Sequence, residues 1–214
     1  MTLSADICYN KSMRTKDLSL ARLKTAGIGT FFHLKDVKSL GATFHDIEWL
    51  MARGEVEKIA PGLYRVSDVE ANEFETLAMV AAAVPDGIIC LLSALSFHEI
   101  GTQSPHEVWL ALDRKARKPS RPVTSLRFVR FSGAMLRYGI VSYNILGVTA
   151  RITSPARTVV DCFRYRNKIG MDVALEALED AVRTRKTSID EIVRAAEVCR
   201  SRTVIQPYLE AIAA

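Results

Sequence analysis

The chain has only four cysteines, and no two of Cys8, Cys90, Cys162 and Cys199 lie close together. CxxC spacing is therefore absent, and with it the usual zinc and dithiol motifs. Cys90 and Cys162 sit in apolar runs, as buried free thiols do. Long hydrophobic runs are also missing. The longest, residues 77–84, falls far short of the roughly 20 residues that a membrane span needs. Residues 1–10 are too polar for a signal peptide, so the expectation is a cytoplasmic protein with reduced thiols and no membrane partner. There is no Walker loop, no GxGxxG and no HExxH, and no cofactor is expected. The four histidines (His33, His45, His98, His106) are scattered, and the spacing of His98 and His106 is not that of metal ligands. Asp86 and Glu107 could be forced into a nuclease-like pair. However, the lysine that such sites carry two residues after the glutamate is absent, so chance placement is favoured and no enzyme is expected.

What is present is an ordinary globular composition, 49% hydrophobic and 25% charged. Lysine and arginine number 29 against 24 acidic residues, a net charge of +5. That excess permits nucleic-acid binding without demanding it, so the placement of charge matters more than its sum. A composition break at residues 67–72 separates two apolar patterns and predicts two domains, 1–69 and 70–214.

In the first domain, helical spacing at Leu18, Leu20, Ala21, Leu23 and Lys24 stops at Gly27 and Gly29. A short extended piece at residues 30–32 precedes a helix over residues 33–40, ended by Gly41. Thr43 with Asp46 three residues on reads as a capping box opening a third helix. Phe44, Ile47, Leu50 and Met51 are expected on its core face. Residues 55–60 and 63–66 read as strands joined at Pro61-Gly62. Three helices followed by a hairpin is the order of a winged helix–turn–helix, with a turn of only Gly41-Ala42 before the third helix.

The face left outward on that third helix is Thr43, His45, Glu48, Trp49, Ala52 and Arg53. Lys35 and Lys38 on the second helix, and Lys58 and Arg65 on the hairpin, are expected on phosphates. Arg14, Lys16, Arg22 and Lys24 add charge near the first helix. DNA binding is preferred over a helix–turn–helix that serves only to dock protein. Glu48 argues against it, since phosphate repels it, although it can accept from cytosine N4. Trp49 is more often a packing residue than a base contact.

The second domain is mixed. Helices are expected over 73–84, 93–100, 171–185 and from Pro155 onward. A further segment capped by Ser188 is expected to break at Pro207. Val108, Leu110 and Leu112 alternate as a strand with one buried face. Residues 126–131, 140–145 and 148–153 read as further strands. The predicted class is α+β, a winged helix–turn–helix followed by a mixed α/β domain with C-terminal helices.

Four segments carry a resemblance: FFHLKDVKSLG at residues 31–41, LMARGEVEKIAPGLY at 50–64, LSALSFH at 92–98 and TSPARTVVD at 153–161. In order and spacing they resemble AbiEi-type antitoxins, over roughly residues 18–185. His33 departs from the Thr or Ser that family commonly carries as N-cap. The resemblance implies a non-enzymatic antitoxin of a bicistronic toxin–antitoxin system. Such a protein represses its own promoter at inverted repeats of double-stranded operator DNA. It opposes a nucleotidyltransferase-like toxin, with or without a stable complex. The second domain would carry antitoxicity and assist DNA binding, with Ser93, His98, Arg157 and Asp161 in its motifs.

Arg157 and Asp161, four apart on a helix, are favoured as an ion pair pinning that helix to the sheet, over an anchor for a functional surface. Residues 114–121 carry five basic side chains in eight: Arg114, Lys115, Arg117, Lys118 and Arg121. A solvated loop is the bland reading. The sharper expectation is contact with nucleic acid, either DNA beside the operator or RNA shared with the toxin's substrate. Two other functions compete: a stand-alone regulator whose second domain senses a small molecule or protein, and a nuclease tethered to DNA by the wing.

Overall fold

In the computed structural model, which describes residues 19–69 and 72–213, the chain divides into two compact units, Met1–Val69 and Glu70–Ala214. Both mix helices and strands, an α+β architecture. Arg14, Lys16 and Cys8 lie outside the described residues.

In the first unit the Ser19 hydroxyl accepts from the Arg22 amide at 3.2 Å and starts α1 (Leu20–Thr25). Strand β1 (Phe31–His33) runs directly into α2 (Leu34–Lys38). The His33 amide donates to Asp36 Oδ2 at 2.7 Å, so a capping box forms on a histidine N-cap. Helix α3 (Phe44–Ala52) opens on the expected Thr43–Asp46 box, with the Thr43 amide donating to Asp46 Oδ2 at 2.7 Å. Strands β2 (Val56–Ala60) and β3 (Leu63–Val66) follow, and the sheet order is β1-β3-β2, all antiparallel.

Leu23, Val37, Ile47 and Leu50 close over Phe32, Val56, Tyr64 and Val66 of this sheet. Burying a side chain of the size of Ile47 or Leu50 is worth about 1.5–3 kcal/mol. Two expectations need correction. The turn before α3 is longer than Gly41-Ala42, because α2 stops at Lys38 and the Leu40 and Gly41 amides already bond back to Val37 and Lys38. Phe44 is not a core residue: it stands 47% exposed at the first position of α3.

The second unit is built on a five-stranded sheet of order β6-β5-β4-β8-β7. Its strands are β4 (Ile88–Ile89), β5 (Val108–Asp113), β6 (Leu126–Phe131), β7 (Ile140–Ile145) and β8 (Val148–Thr153). Pairings β4/β8 and β5/β6 are parallel, the rest antiparallel. Residues 146–147 close the β7–β8 hairpin, with Leu146 at φ 52° and Gly147 at φ 79°. Two positive φ values in a row are the signature of a two-residue turn matching the strand twist. Strand β5 corrects the alternation reading: residues 108–112 are all buried, because both faces of this central strand are covered. The two-residue β4 had no pattern long enough to announce it.

Helices α4 (Glu75–Ala83) and α5 (Leu91–Phe97) precede the main helical layer, which contains α6 (Pro155–Arg164), α7 (Arg166–Ile169), α8 (Met171–Arg183), α9 (Ile189–Val198) and α10 (Arg202–Ala213). Helix α6 has every residue from Ala156 to Phe163 buried, and it packs against α5, α8 and α9. The C-terminal break falls at residues 199–201, where Arg200 takes φ 54°, while Pro207 sits inside α10 rather than interrupting the segment. Among the described residues, no helix is long and apolar enough to cross a membrane.

Candidate nucleic-acid interface

Helix α3 buries Ile47 and Leu50. About 100° of rotation per residue then turns residues 45, 48, 49 and 52 away from the core, with residue 44 at its edge on the first position of the helix. All five are exposed. Among the described residues, Phe44 at 47% and Trp49 at 46% are the most exposed large hydrophobics. The polar groups of this face are mostly engaged. His45 Nδ1 lies 3.8 Å from Glu48 Oε2. Arg53 donates from Nε to Glu55 Oε1 at 2.5 Å, and its guanidinium lies 4.5 Å from the Trp49 ring centroid. The Thr43 hydroxyl donates to Asp46 Oδ2 at 2.7 Å and is sealed in the cap.

The cations around α3 fall into two sets. Lys35, Lys38 and Lys58 are exposed and form no ion pair among the described residues. Arg65 is different. It faces Glu57 directly across the β2–β3 register and donates to Glu57 Oε1 at 2.6 Å, with its side chain only 21% exposed. Arg22 is also used internally, donating from Nη2 to the Leu40 carbonyl. Lys24 Nζ reaches Asp68 at 4.0 Å. Glu55 and Glu57, which neutralise Arg53 and Arg65, carried no sequence signal beyond lying near them in the chain or across the strands.

In the second unit, the basic stretch forms the β5–β6 connection. Arg114, Lys115, Arg117, Lys118 and Arg121 are all exposed. The loop is held at its base. Arg130 Nη1 donates to the Asp113 and Ala116 carbonyls, each at 2.7 Å, and the Lys115 amide donates to Asp113 Oδ1 at 2.7 Å. Lys118 Nζ lies 5.2 Å from the centroid of Phe128. Arg130, missed at the level of sequence, thus fixes the path of the loop that presents the charge.

Ser93, His98, Arg157 and Asp161 do not form a surface: each is 9% exposed or less. Ser93 Oγ accepts from the Trp109 amide at 2.9 Å, tying α5 to β5. His98 Nε2 donates to the Thr153 carbonyl at 2.7 Å, and burial pushes its imidazole below its ordinary value. Arg157 Nε donates to Asp161 Oδ2 at 3.0 Å with both side chains fully buried. Arg157 Nη1 donates to the Met135 and Tyr138 carbonyls, and its guanidinium lies 4.8 Å from the Phe131 ring centroid. A side chain on Gly139, at φ 63°, would strike Arg157 Cβ at 2.7 Å, so glycine there lets the β7 approach pass close over the arginine. The pair locks α6 to the loop ahead of β7. Glu107 has Arg127 as its partner at 3.2 Å.

Burial raises the Asp161 carboxyl to about 6, against the lowering pull of Arg157. The folded state therefore holds this proton more tightly than the unfolded chain does. The resulting stability is complete below about pH 4 and is lost as the pH rises through 6, a contribution of roughly 3 kcal/mol. A carboxyl chemical-shift titration of Asp161 is expected to show a midpoint near 6. Asp161→Asn should remove this segment from the pH profile of urea stability. A midpoint in the ordinary range near 4 would contradict it.

No protein-family model and no curated protein matches this chain. It is similar to a solved structure, the crystal structure of RV2827C protein from Mycobacterium tuberculosis, with a TM-score of 0.54 and 11% identity. The match covers 86% of this chain, more than either unit alone spans, and 75% of that chain. At that identity the likeness is one of fold.

Proposed function

We propose that the chain is a DNA-binding antitoxin that represses its own promoter and counteracts a nucleotidyltransferase-like toxin. In this reading the first unit is a winged helix–turn–helix: α1 and α2 support α3 as recognition helix, and β2–β3 is the wing. The observation that carries the DNA-binding half is the exposed outer face of α3, with uncommitted lysines on the neighbouring elements, Lys35 and Lys38 on α2 and Lys58 on β2. Lysines so placed suit phosphates and set register, while α3 addresses base edges. The basic β5–β6 loop supplies a second cationic surface on the other unit. The antitoxin half rests on the four motif segments, whose buried residues organise the second unit. It acts in the cytoplasm, without metal or cofactor.

The test has two arms. The full chain should retard a duplex taken from its own upstream region and not a scrambled duplex of equal length. Co-expression with the product of the adjacent gene should relieve that product's toxicity. Retardation without relief reduces the protein to a stand-alone regulator. Relief without retardation removes the promoter from the reading.

A further inference from the structure

Helix α3 presents an unusual set of side chains for a helix placed in a major groove. From Phe44 to Ala52 it contains no arginine, lysine, asparagine or glutamine. Guanine is read mainly by a bidentate Arg or Lys on O6 and N7, and adenine by Asn or Gln on N6 and N7. Arg53, just beyond the helix, is held by Glu55 and laid over Trp49. Thr43 is closed in its cap and His45 leans toward Glu48. What remains outward is the Phe44 ring, the face of Trp49 that Arg53 does not cover, the methyl of Ala52, and the second oxygen of Glu48.

Resting on the DNA-binding reading above, we infer that α3 reads pyrimidine edges: thymine methyl groups through Phe44 and Trp49, and a cytosine N4 amino group through Glu48. The thymine C5-methyl is the apolar feature of the groove and suits an aromatic face. A carboxylate near phosphates is repelled unless a base donor meets it. Cytosine N4–H₂ offers a donor with no ring acceptor beside it. Adenine N6–H₂ has N7 next to it, which would face the second carboxylate oxygen. Lys35 and Lys38 on α2 and Lys58 on β2 are exposed cations of the same unit, unpaired among the described residues, which is why DNA rather than a protein is assigned to this face.

Selection from random duplex DNA with the full chain is expected to enrich adjacent thymine and cytosine on one strand. Replacing those thymines by deoxyuridine should weaken binding about fourfold for each contacted methyl removed, with the salt slope unchanged. Glu48→Gln should move the preference at one position from cytosine to adenine by about tenfold. Phe44→Ala with Trp49→Ala should abolish the thymine-over-uracil difference. These side chains are exposed, so the fold is expected to survive each change. Enrichment of purine-read sites, or no effect of deoxyuridine, overturns the inference while leaving DNA binding intact. Unchanged selectivity in the aromatic variant also overturns it. Failure to bind any duplex removes the DNA-binding reading itself.

Discussion

Arg157→Met is expected to destabilise the second unit by about 3–5 kcal/mol, and adding Asp161→Leu should restore most of the loss. Both side chains are fully buried, and the single strong contact between them is the Nε–Oδ2 hydrogen bond at 3.0 Å. Removing the arginine alone strands a buried carboxylate without its main compensating charge, leaving only the weaker pull of Arg164 against its desolvation. Removing both leaves no buried charge, and only the Met135 and Tyr138 carbonyls lose a donor, a smaller cost than an unpaired buried carboxylate. Arg157 Nη2 and Asp161 Oδ1 find no hydrogen-bond partner among the described residues, so the pair is imperfectly satisfied and its loss as a unit is correspondingly mild. The single mutant should also be pH-dependent in a set direction. Without Arg157 the Asp161 carboxyl rises further above 6, so the penalty is smaller at pH 5, where it is protonated, than at pH 8. The chain has two tryptophans, and Trp109 is buried in the second unit. In a Trp49→Phe background, Trp109 fluorescence during urea unfolding reports this unit. A single mutant as stable as its parent at pH 8 would show that the pair does not hold α6.

Much of the first unit could be read directly from the residues. The Thr43–Asp46 box, the Ile47–Leu50 spacing and the Pro61-Gly62 turn are local signals, and α3 and the hairpin follow from them. Phe44 failed because three residues turn a helix about 300°, leaving it about 60° off Ile47. At the first position of the helix there is no earlier turn to cover that edge. In the second unit, the alternation in β5 points to a half-buried strand, because a local pattern does not record the tertiary packing that buries both faces. The same gap hid Arg130, whose carbonyl partners Asp113 and Ala116 lie 17 and 14 residues away. The motif residues Ser93, His98, Arg157 and Asp161 stood out in the sequence, yet each is consumed by bonds that hold the sheet to its helices. Polar residues in apolar runs advertise a constraint, and only burial separates a structural constraint from a functional one. The proline at 207 is the visible helix breaker in the sequence, yet the turn falls near residue 200, where Arg200 takes a positive φ that an arginine does not signal.

Replacing Lys35, Lys38 and Lys58 together by alanine should lower affinity for any duplex about 100-fold at 0.2 M salt. Three lost phosphate contacts reduce the slope of log K against log salt by roughly 2.7, and the loss deepens as salt is lowered. Discrimination between cognate and scrambled sequences should stay unchanged, because these lysines position the helix and read no base. Arg65→Ala serves as the contrast. Glu57 already neutralises it at 2.6 Å, so its removal should change the slope little. The five-alanine variant of residues 114, 115, 117, 118 and 121 measures the second unit by the same scale: if the loop lies on DNA, the slope falls by up to about 4.5. A loop that instead serves RNA or the toxin leaves the slope on duplex DNA untouched while altering relief of toxicity. The two variants therefore separate the units by charge alone. An unchanged slope in the lysine triple would remove α3 and its flanks from the DNA, whatever the loop does.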